Sequence, residues 1–199
     1  MDKKDFLKAL ASDAATPGGG GGSAYVGALG LSLSEMALTI SAKTTKEEIV
    51  PTIQQLITQI KDLRNNLYGM IEADAEAFIP LSNAYKLSKS DPERLEKIQQ
   101  GLVTAAQAPL DIMRMNYKAI QLHQKAMSLS NKMIVSDVGT GAIISQSSLK
   151  GAYMNVLVNT KSIKDKQTRS IIEEEATDLL EKGQKISEKV YSEILQLMR

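Results

Sequence analysis

The sequence predicts an all-α fold, an up-and-down bundle of about six helices, several of them long and proline-kinked. Three observations carry this. Apolar residues recur at spacings of three and four over long segments, as in Ile49, Ile53, Leu56, Ile60, Leu63, Leu67, Met70 and Ile71. No stretch alternates apolar and polar residues for long, and aromatic residues make up only 4% of the chain. The connections between periodic segments are short, and no linker of the kind that separates domains appears, so residues 1–199 read as one domain.

Six segments follow in order. The first, about Lys3 to Ala11, is short and amphipathic through Phe6, Leu7 and Leu10. The second runs from the glycine tract to about Lys43 and is rich in Ala, Gly, Leu and Ser. It is apolar nearly all round, which predicts a central position or a subunit contact. Its small residues Ser23, Gly27, Gly30 and Ser34 predict close helix approach and point to a contact across a dimer. The third runs from about Glu47 to Ser88, with Pro51 in its first turn, where a missing N–H is harmless, and Pro80 predicting a kink or break. The fourth opens at Asp91-Pro92-Glu93, a capping residue followed by proline, and runs to about Leu129 with a bend or interruption at Pro109. The fifth follows Asn131 and Ser136-Asp137 and ends near Thr160. The sixth covers about Lys166 to Met198, with Ile171, Ile172, Leu179, Leu180, Ile186, Val190, Ile194 and Leu195 expected inward.

Composition excludes several function classes. Lys plus Arg number 24 and Asp plus Glu 23, a net charge of +1, which argues against a nucleic-acid partner bound through bulk charge. There is no cysteine, so thiol nucleophiles, disulfides, iron–sulfur clusters and Cys-type zinc sites are impossible. One histidine, His123, cannot build a His-rich metal site and reads as a half-exposed helix residue. No metal is expected. The start, Met1-Asp2-Lys3-Lys4-Asp5, lacks the apolar run of a signal peptide. Ala24 to Ala42 is apolar but contains Glu35 and several Ser and Thr, so it reads as a core helix rather than a membrane span. A cytoplasmic protein without a membrane partner is the expectation.

Four features bear chemistry. Thr16-Pro17-Gly18-Gly19-Gly20-Gly21-Gly22-Ser23 precedes a helix. Five glycines cost backbone entropy and suggest that something approaches the backbone closely, and free N–H groups at a helix start form an anion site; the alternative is a flexible linker. Neither the P-loop nor the dinucleotide-binding glycine spacing is met. Asp74 falls on the inward face, four residues from Met70 and from Phe78. A carboxylate there is either half of a buried ion pair or an acid/base group. Ser136-Asp137 is either a helix cap or a carboxylate held at a helix start and facing a cleft. Asn155 and Asn159 share one helix face, and their amides bind either backbone or a planar ligand.

Taken in order, these segments resemble the cyclodeaminase/cyclohydrolase family. The resemblance rests on Thr16-Pro17-Gly18-Gly19-Gly20 with Gly27-Ala28-Leu29-Gly30, then Asp74-Ala75-Glu76-Ala77-Phe78 and Ala108-Pro109-Leu110. It continues through Asn131, Ser136-Asp137-Val138-Gly139, and Gly151-Ala152-Tyr153-Met154-Asn155-Val156 with Asn159. It covers essentially the whole chain. It implies folate one-carbon chemistry: formimino-tetrahydrofolate cyclodeaminase or 5,10-methenyl-tetrahydrofolate cyclohydrolase activity, or alternatively a non-catalytic folate-binding bundle. It implies Asp137 and Asp74 as catalytic candidates. Pro17, Gly18, Gly19, Gly20, Ser136, Asn155 and Asn159 are the implied substrate-binding residues. The partner would be a reduced folate, polyglutamylated or not, taken as substrate with no permanently bound cofactor, and the assembly a homodimer. Lys43 and Lys46 are candidates for the glutamate tail. One departure stands out: the family reads serine after the third glycine, where this chain has Gly21.

Overall fold

The computed structural model describes residues 3–199. The helices are α1 (Lys3–Leu10), α2 (Gly19–Ser41), α3 (Val50–Lys86), α4 (Arg94–Leu129), α5 (Val135–Thr160) and α6 (Lys166–Leu197). A single 3₁₀ turn, Glu47–Ile49, leads into α3, and no strand occurs among the described residues. The chain runs up and down, and α4 lies centrally, packed against α2, α3, α5 and α6.

The helical periodicity of the third segment is realised: Ile53, Ile60 and Leu67 are fully buried, one above the other. They meet Leu31 and Leu38 of α2 and Ile112, Met113 and Ile120 of α4 in one core. Each such side chain contributes about 1.5–3 kcal/mol through removal of its apolar surface from water. Pro80 and Pro109 do not interrupt their helices, since α3 and α4 are each continuous across them. Asp91 accepts from the Glu93 N–H at 2.8 Å in the turn that opens α4, and Asp165 accepts from the Gln167 N–H at the start of α6. Ser136 does not cap α5. The turn before it is held by Asn131, whose Oδ1 accepts from the Met133 N–H at 3.0 Å, so the helix begins at Val135 and Ser136 falls inside the first turn.

Two expectations are corrected. The small residues Ser23, Gly27, Gly30 and Ser34 do not face a dimer partner; all four are buried against α4 and α5 of the same chain. A Cβ on Gly30 would stand 2.8 Å from the Gly141 carbonyl oxygen, and one on Gly141 would stand 2.7 Å from the Gly30 carbonyl oxygen. The two helices therefore touch backbone to backbone, through Cα–H groups facing carbonyls. His123 is not half-exposed but fully buried. Its Nδ1 is 2.7 Å from Ser34 Oγ and its Nε2 is 2.9 Å from Ser145 Oγ, so one imidazole ties α4 to α2 and to α5. Burial pushes its pKa down to about 3, so it is neutral in the fold.

α2 is the one described helix long and apolar enough to cross a membrane by length and composition, and half of that stretch is buried. It packs against three helices, which accounts for its apolarity. A narrow outer stripe is left uncovered: Leu29, Met36 and Ile40 are exposed.

Candidate active site

The glycine tract is helix, not linker. Gly18 is the N-cap of α2, and Gly19 to Gly22 form its first turn. Gly18 has no side chain with which to cap the helix. The first N–H groups of any helix lack intrahelical partners. Here the Gly21 N–H donates to Asp74 Oδ2 of α3 at 2.9 Å. A carboxylate from a neighbouring helix thus takes the capping role, at the positive end of the α2 dipole.

The glycines are required by that contact. A Cβ on Gly20 would overlap the Asp74 carboxylate, and one on Gly19 would stand 2.8 Å from Asn155 Nδ2. Gly21 differs: an added Cβ would meet only ordinary contacts, at 3.5 Å from the Ile71 carbonyl oxygen and 3.6 Å from Pro17 Cβ. The serine of the family pattern fits there without displacement.

Asp74 is half-buried and has no ion-pair partner among the described residues. Burial raises its pKa above the ordinary value of 3.8, and the Gly21 N–H offsets part of that rise. The group is therefore a stronger base than a free aspartate.

α5 supplies the facing wall. Asn155 Nδ2 donates to the Gly151 carbonyl at 2.8 Å. Asn159 Nδ2 donates to the Ala105 carbonyl of α4 at 2.9 Å and to the Asn155 carbonyl at 3.1 Å. Both amides are thus held by backbone through their nitrogens, which leaves each Oδ1 as an acceptor, that of Asn155 beside Gly19.

The structure brings together Pro17, Gly18, Gly19, Gly20, Asp74, Asn155 and Asn159 at one end of the bundle. It does not bring Ser136 and Asp137 there within the chain. Asp137 lies in the first turn of α5, eighteen residues from Asn155 on the same helix, or about 27 Å at 1.5 Å rise per residue. It is half-buried, with no hydrogen-bond or ion-pair partner for its carboxylate among the described residues. Lys43 and Lys46 are exposed beyond the C-terminus of α2, also away from the glycine tract.

Sequence reasoning passed over Asn116. It is fully buried, its Nδ2 donates to the Ile112 carbonyl at 2.9 Å, and its Oδ1 has no hydrogen-bond partner. That oxygen rests on Gly27, where a Cβ would overlap it. The available signal was spacing by seven: Gly20, Gly27 and Ser34 on α2, and Asn116 and His123 on α4. Among the described residues, no group of three or more His, Asp or Glu stands close enough to hold a metal ion.

Comparison with known proteins gives a consistent result. The family model described as Formiminotransferase-cyclodeaminase matches residues 2–178. The chain is 34% identical to a methenyltetrahydrofolate cyclohydrolase of Methylorubrum extorquens over 95% of its own length and 93% of that protein. It is 31% identical to the formimidoyltransferase-cyclodeaminase of Gallus gallus over 89% of its own length, but spans only 34% of that larger protein. Its fold is similar to a crystal structure of formiminotetrahydrofolate cyclodeaminase from Thermotoga maritima, with a TM-score of 0.84 and 26% identity, covering 100% of this chain and 96% of that one. With the family model matched along most of its length and a 34%-identical relative aligned nearly end to end, the chain belongs to the formiminotransferase-cyclodeaminase family.

Proposed function

We propose that this protein is a folate one-carbon enzyme that works at the carbon bridging N5 and N10 of tetrahydrofolate. The observation that carries the reading is Asp74, a half-buried carboxylate of raised basicity held on the N-terminus of a glycine-built helix. It sits in a chain whose relatives are named for these reactions. All of them are named as enzymes, so the non-catalytic alternative gains no support.

The chemistry needs little more than positioned acid–base groups, each of which typically contributes about 10²–10⁴-fold. In cyclodeamination, N10 of 5-formimino-tetrahydrofolate attacks the formimino carbon and gives up its proton. The tetrahedral carbon then expels ammonia and leaves 5,10-methenyl-tetrahydrofolate. In cyclohydrolysis, water adds to the methenyl carbon and loses a proton, and the bond to N5 opens to give 10-formyl-tetrahydrofolate. Asp74 is the group to take the proton, and its anion faces the cationic methenyl unit. The Oδ1 atoms of Asn155 and Asn159 accept from pterin N–H groups or orient the water. Pro17 and Gly18 to Gly20 let a planar ring lie against the backbone, where no side chain intervenes. In this reading Ser136 and Asp137, remote from the glycine tract within one chain, come to the site from the second subunit of a homodimer.

In this reading residues 1–199 act as one domain, in a cytoplasmic homodimer, on reduced folates with or without a polyglutamate tail. The substrate is the only folate involved, with no resident cofactor. The deciding experiment is optical. Purified protein is mixed with 5-formimino-tetrahydrofolate in one cuvette and with 5,10-methenyl-tetrahydrofolate in another. A rise in methenyl absorbance in the first identifies the cyclodeaminase, and a catalysed fall in the second the cyclohydrolase. No change in either removes the proposal.

A further inference from the structure

A helical turn built of glycine is weak, because glycine loses more backbone freedom on ordering than any other residue, and Gly18 has no side chain to cap the turn that follows it. The Asp74 contact nonetheless depends on that turn. Within α2 it is held by the Gly22 N–H, which donates to the Gly18 carbonyl at 2.9 Å, and by the Ser23 hydroxyl, which donates to the Gly19 carbonyl at 2.8 Å. A further bond comes from another helix: Ser148 of α5 donates its hydroxyl to the Ser23 carbonyl at 2.5 Å. A serine or threonine inside a helix commonly turns its hydroxyl back to the carbonyl four residues earlier. Ser32, Ser41, Thr104, Thr140 and the adjacent Ser147 all do so. Ser148 instead crosses to α2, and both it and Ser23 are buried. α5 is bare three residues on, where a Cβ on Gly151 would stand 2.6 Å from the Ser23 hydroxyl oxygen. Four residues further, Asn155 rests on Gly19. Ser148, Gly151 and Asn155 therefore form a single face of α5 that grips Ser23 and Gly19, themselves four apart on α2.

We infer that Ser148, acting through the Ser23 carbonyl, is a positioning residue for the reaction: it fixes the glycine turn between Asp74 on α3 and Asn155 on α5. The Gly21 N–H reaches Asp74 from two residues before Ser23, and Gly19 faces Asn155 from four residues before it. A hydroxyl that anchors the Ser23 carbonyl to α5 sets both distances at once. Without it the turn is free to slide or fray, since positions 18–22 carry no side chain to hold it. A loosened turn presents the Gly21 N–H less well. That contact lowers the Asp74 pKa against the effect of burial, so its weakening leaves the carboxyl raised further. Lost positioning therefore moves the acid limb of activity to higher pH as well as slowing the reaction. The same chemistry recurs elsewhere as a matched control. Ser187 of α6 is equally buried and donates to the Ala142 carbonyl of α5 at 3.1 Å, thirteen residues or about 20 Å along the helix from Asn155. The catalytic role of Ser148 rests on the folate reading; its hold on the turn does not.

Ser148→Ala and Ser187→Ala, compared with the wild type, test it. Each removes one buried hydroxyl from a carbonyl on a neighbouring helix, so both should melt at a lower temperature. Only Ser148→Ala should lose turnover, by about 10- to 10²-fold in kcat, the scale of a small misplacement of reacting groups. Only in Ser148→Ala should the acid limb of kcat/KM move to higher pH. A further measurement does not use activity. Amide hydrogen exchange at Gly21 and Gly22, followed by NMR, should speed up by about tenfold or more in Ser148→Ala and keep the wild-type rate in Ser187→Ala. Ser148→Cys keeps a similar size with a weak S–H donor and should fall between the wild type and Ser148→Ala in each measurement; it carries the same comparison where the alanine variant does not fold. Wild-type kcat and acid limb in Ser148→Ala overturn the proposal, as do equal losses of turnover in the two alanine variants or unchanged exchange at Gly21. Wild-type protein inactive on both folates, with the contrast in exchange present, rejects the folate reading and leaves the hold of Ser148 on the turn standing.

Discussion

Asp74 is placed where a carboxylate is useful at a cost to stability. Its pKa is raised by burial, so the folded state holds its proton more tightly than the unfolded chain does. The sign follows: its contribution to stability is favourable below the ordinary value of 3.8 and is lost as pH rises through the raised value. At neutral pH the ionised group destabilises the fold. Asp74→Asn keeps an acceptor for the Gly21 N–H and removes the buried charge. Its melting temperature at pH 7 is expected to equal or exceed that of the wild type, while turnover falls by about 10²–10⁴-fold. A variant that loses stability together with activity would make Asp74 structural. The acid limb of kcat/KM in the wild type should likewise lie above the ordinary aspartate value, since the base form is gained only there. The neighbouring glycines separate packing from chemistry. Gly20→Ala collides with the carboxylate and should abolish turnover. Gly21→Ser has room, restores the hydroxyl of the family pattern and should fold normally with turnover at or above wild type, as a side-by-side assay of the two variants would read.

At the scale of elements, the seam between α2, α4 and α5 combines small residues with buried polar ones. Ser34, His123 and Ser145 form one polar layer, with Gly30 and Gly141 in backbone contact beside it, and Asn116 on Gly27 forms the next. His123 is neutral in the fold and protonates in the unfolded chain below its ordinary value of 6.5. Its stabilisation is therefore present above pH 6.5 and is lost as pH falls toward about 3, with a slope of up to about 1.4 kcal/mol per pH unit. His123→Phe should be less stable at pH 7 by about 1–3 kcal/mol, because two buried hydroxyls lose their partner. Between pH 6.5 and 4.5 its stability should fall less steeply than the wild type's, as denaturant melts at each pH would record. Glycine positions give a second contrast. Gly69 faces open space on α3, so Gly69→Ala should stabilise by about 0.5–1 kcal/mol. Gly30→Ala meets the Gly141 carbonyl and should destabilise by about 1–3 kcal/mol or more. Helix positions were legible in the sequence because the apolar stripe of α3 repeats at helical spacing with few interruptions. The partner of each small residue was not. Ser23, Gly27, Gly30 and Ser34 announce a close contact, but their spacing is the same whether the facing helix belongs to this chain or to another. His123 was misread for a related reason: its two serine partners lie 89 and 22 residues away, beyond any local pattern.

The whole molecule explains why most of the candidate site converges as the sequence suggested while Ser136 and Asp137 do not. Asp74, the glycines and the two asparagines converge because α3, α2 and α5 place them at one end of the bundle, and each was marked locally by a polar residue on an apolar face or a glycine run. Asp137 carried an equally clear local mark and yet lies about 27 Å away, because α5 runs antiparallel to α2 and its two ends cannot meet. Sequence order records which residues recur together, not which chain supplies them. If Asp137 serves the site from the second subunit of the proposed homodimer, activity is a property of the dimer. Specific activity should then fall on dilution in step with dimer dissociation measured by light scattering or sedimentation. A Leu29→Glu/Met36→Glu variant, which puts charge on the uncovered strip without touching the core, should be monomeric and retain its helical circular dichroism. Its turnover should be at least 10²-fold below wild type at every concentration, the loss expected for removing one positioned carboxylate from each site. A monomer of full activity would place every catalytic group in one chain and return Asp137 to a structural role at the start of α5.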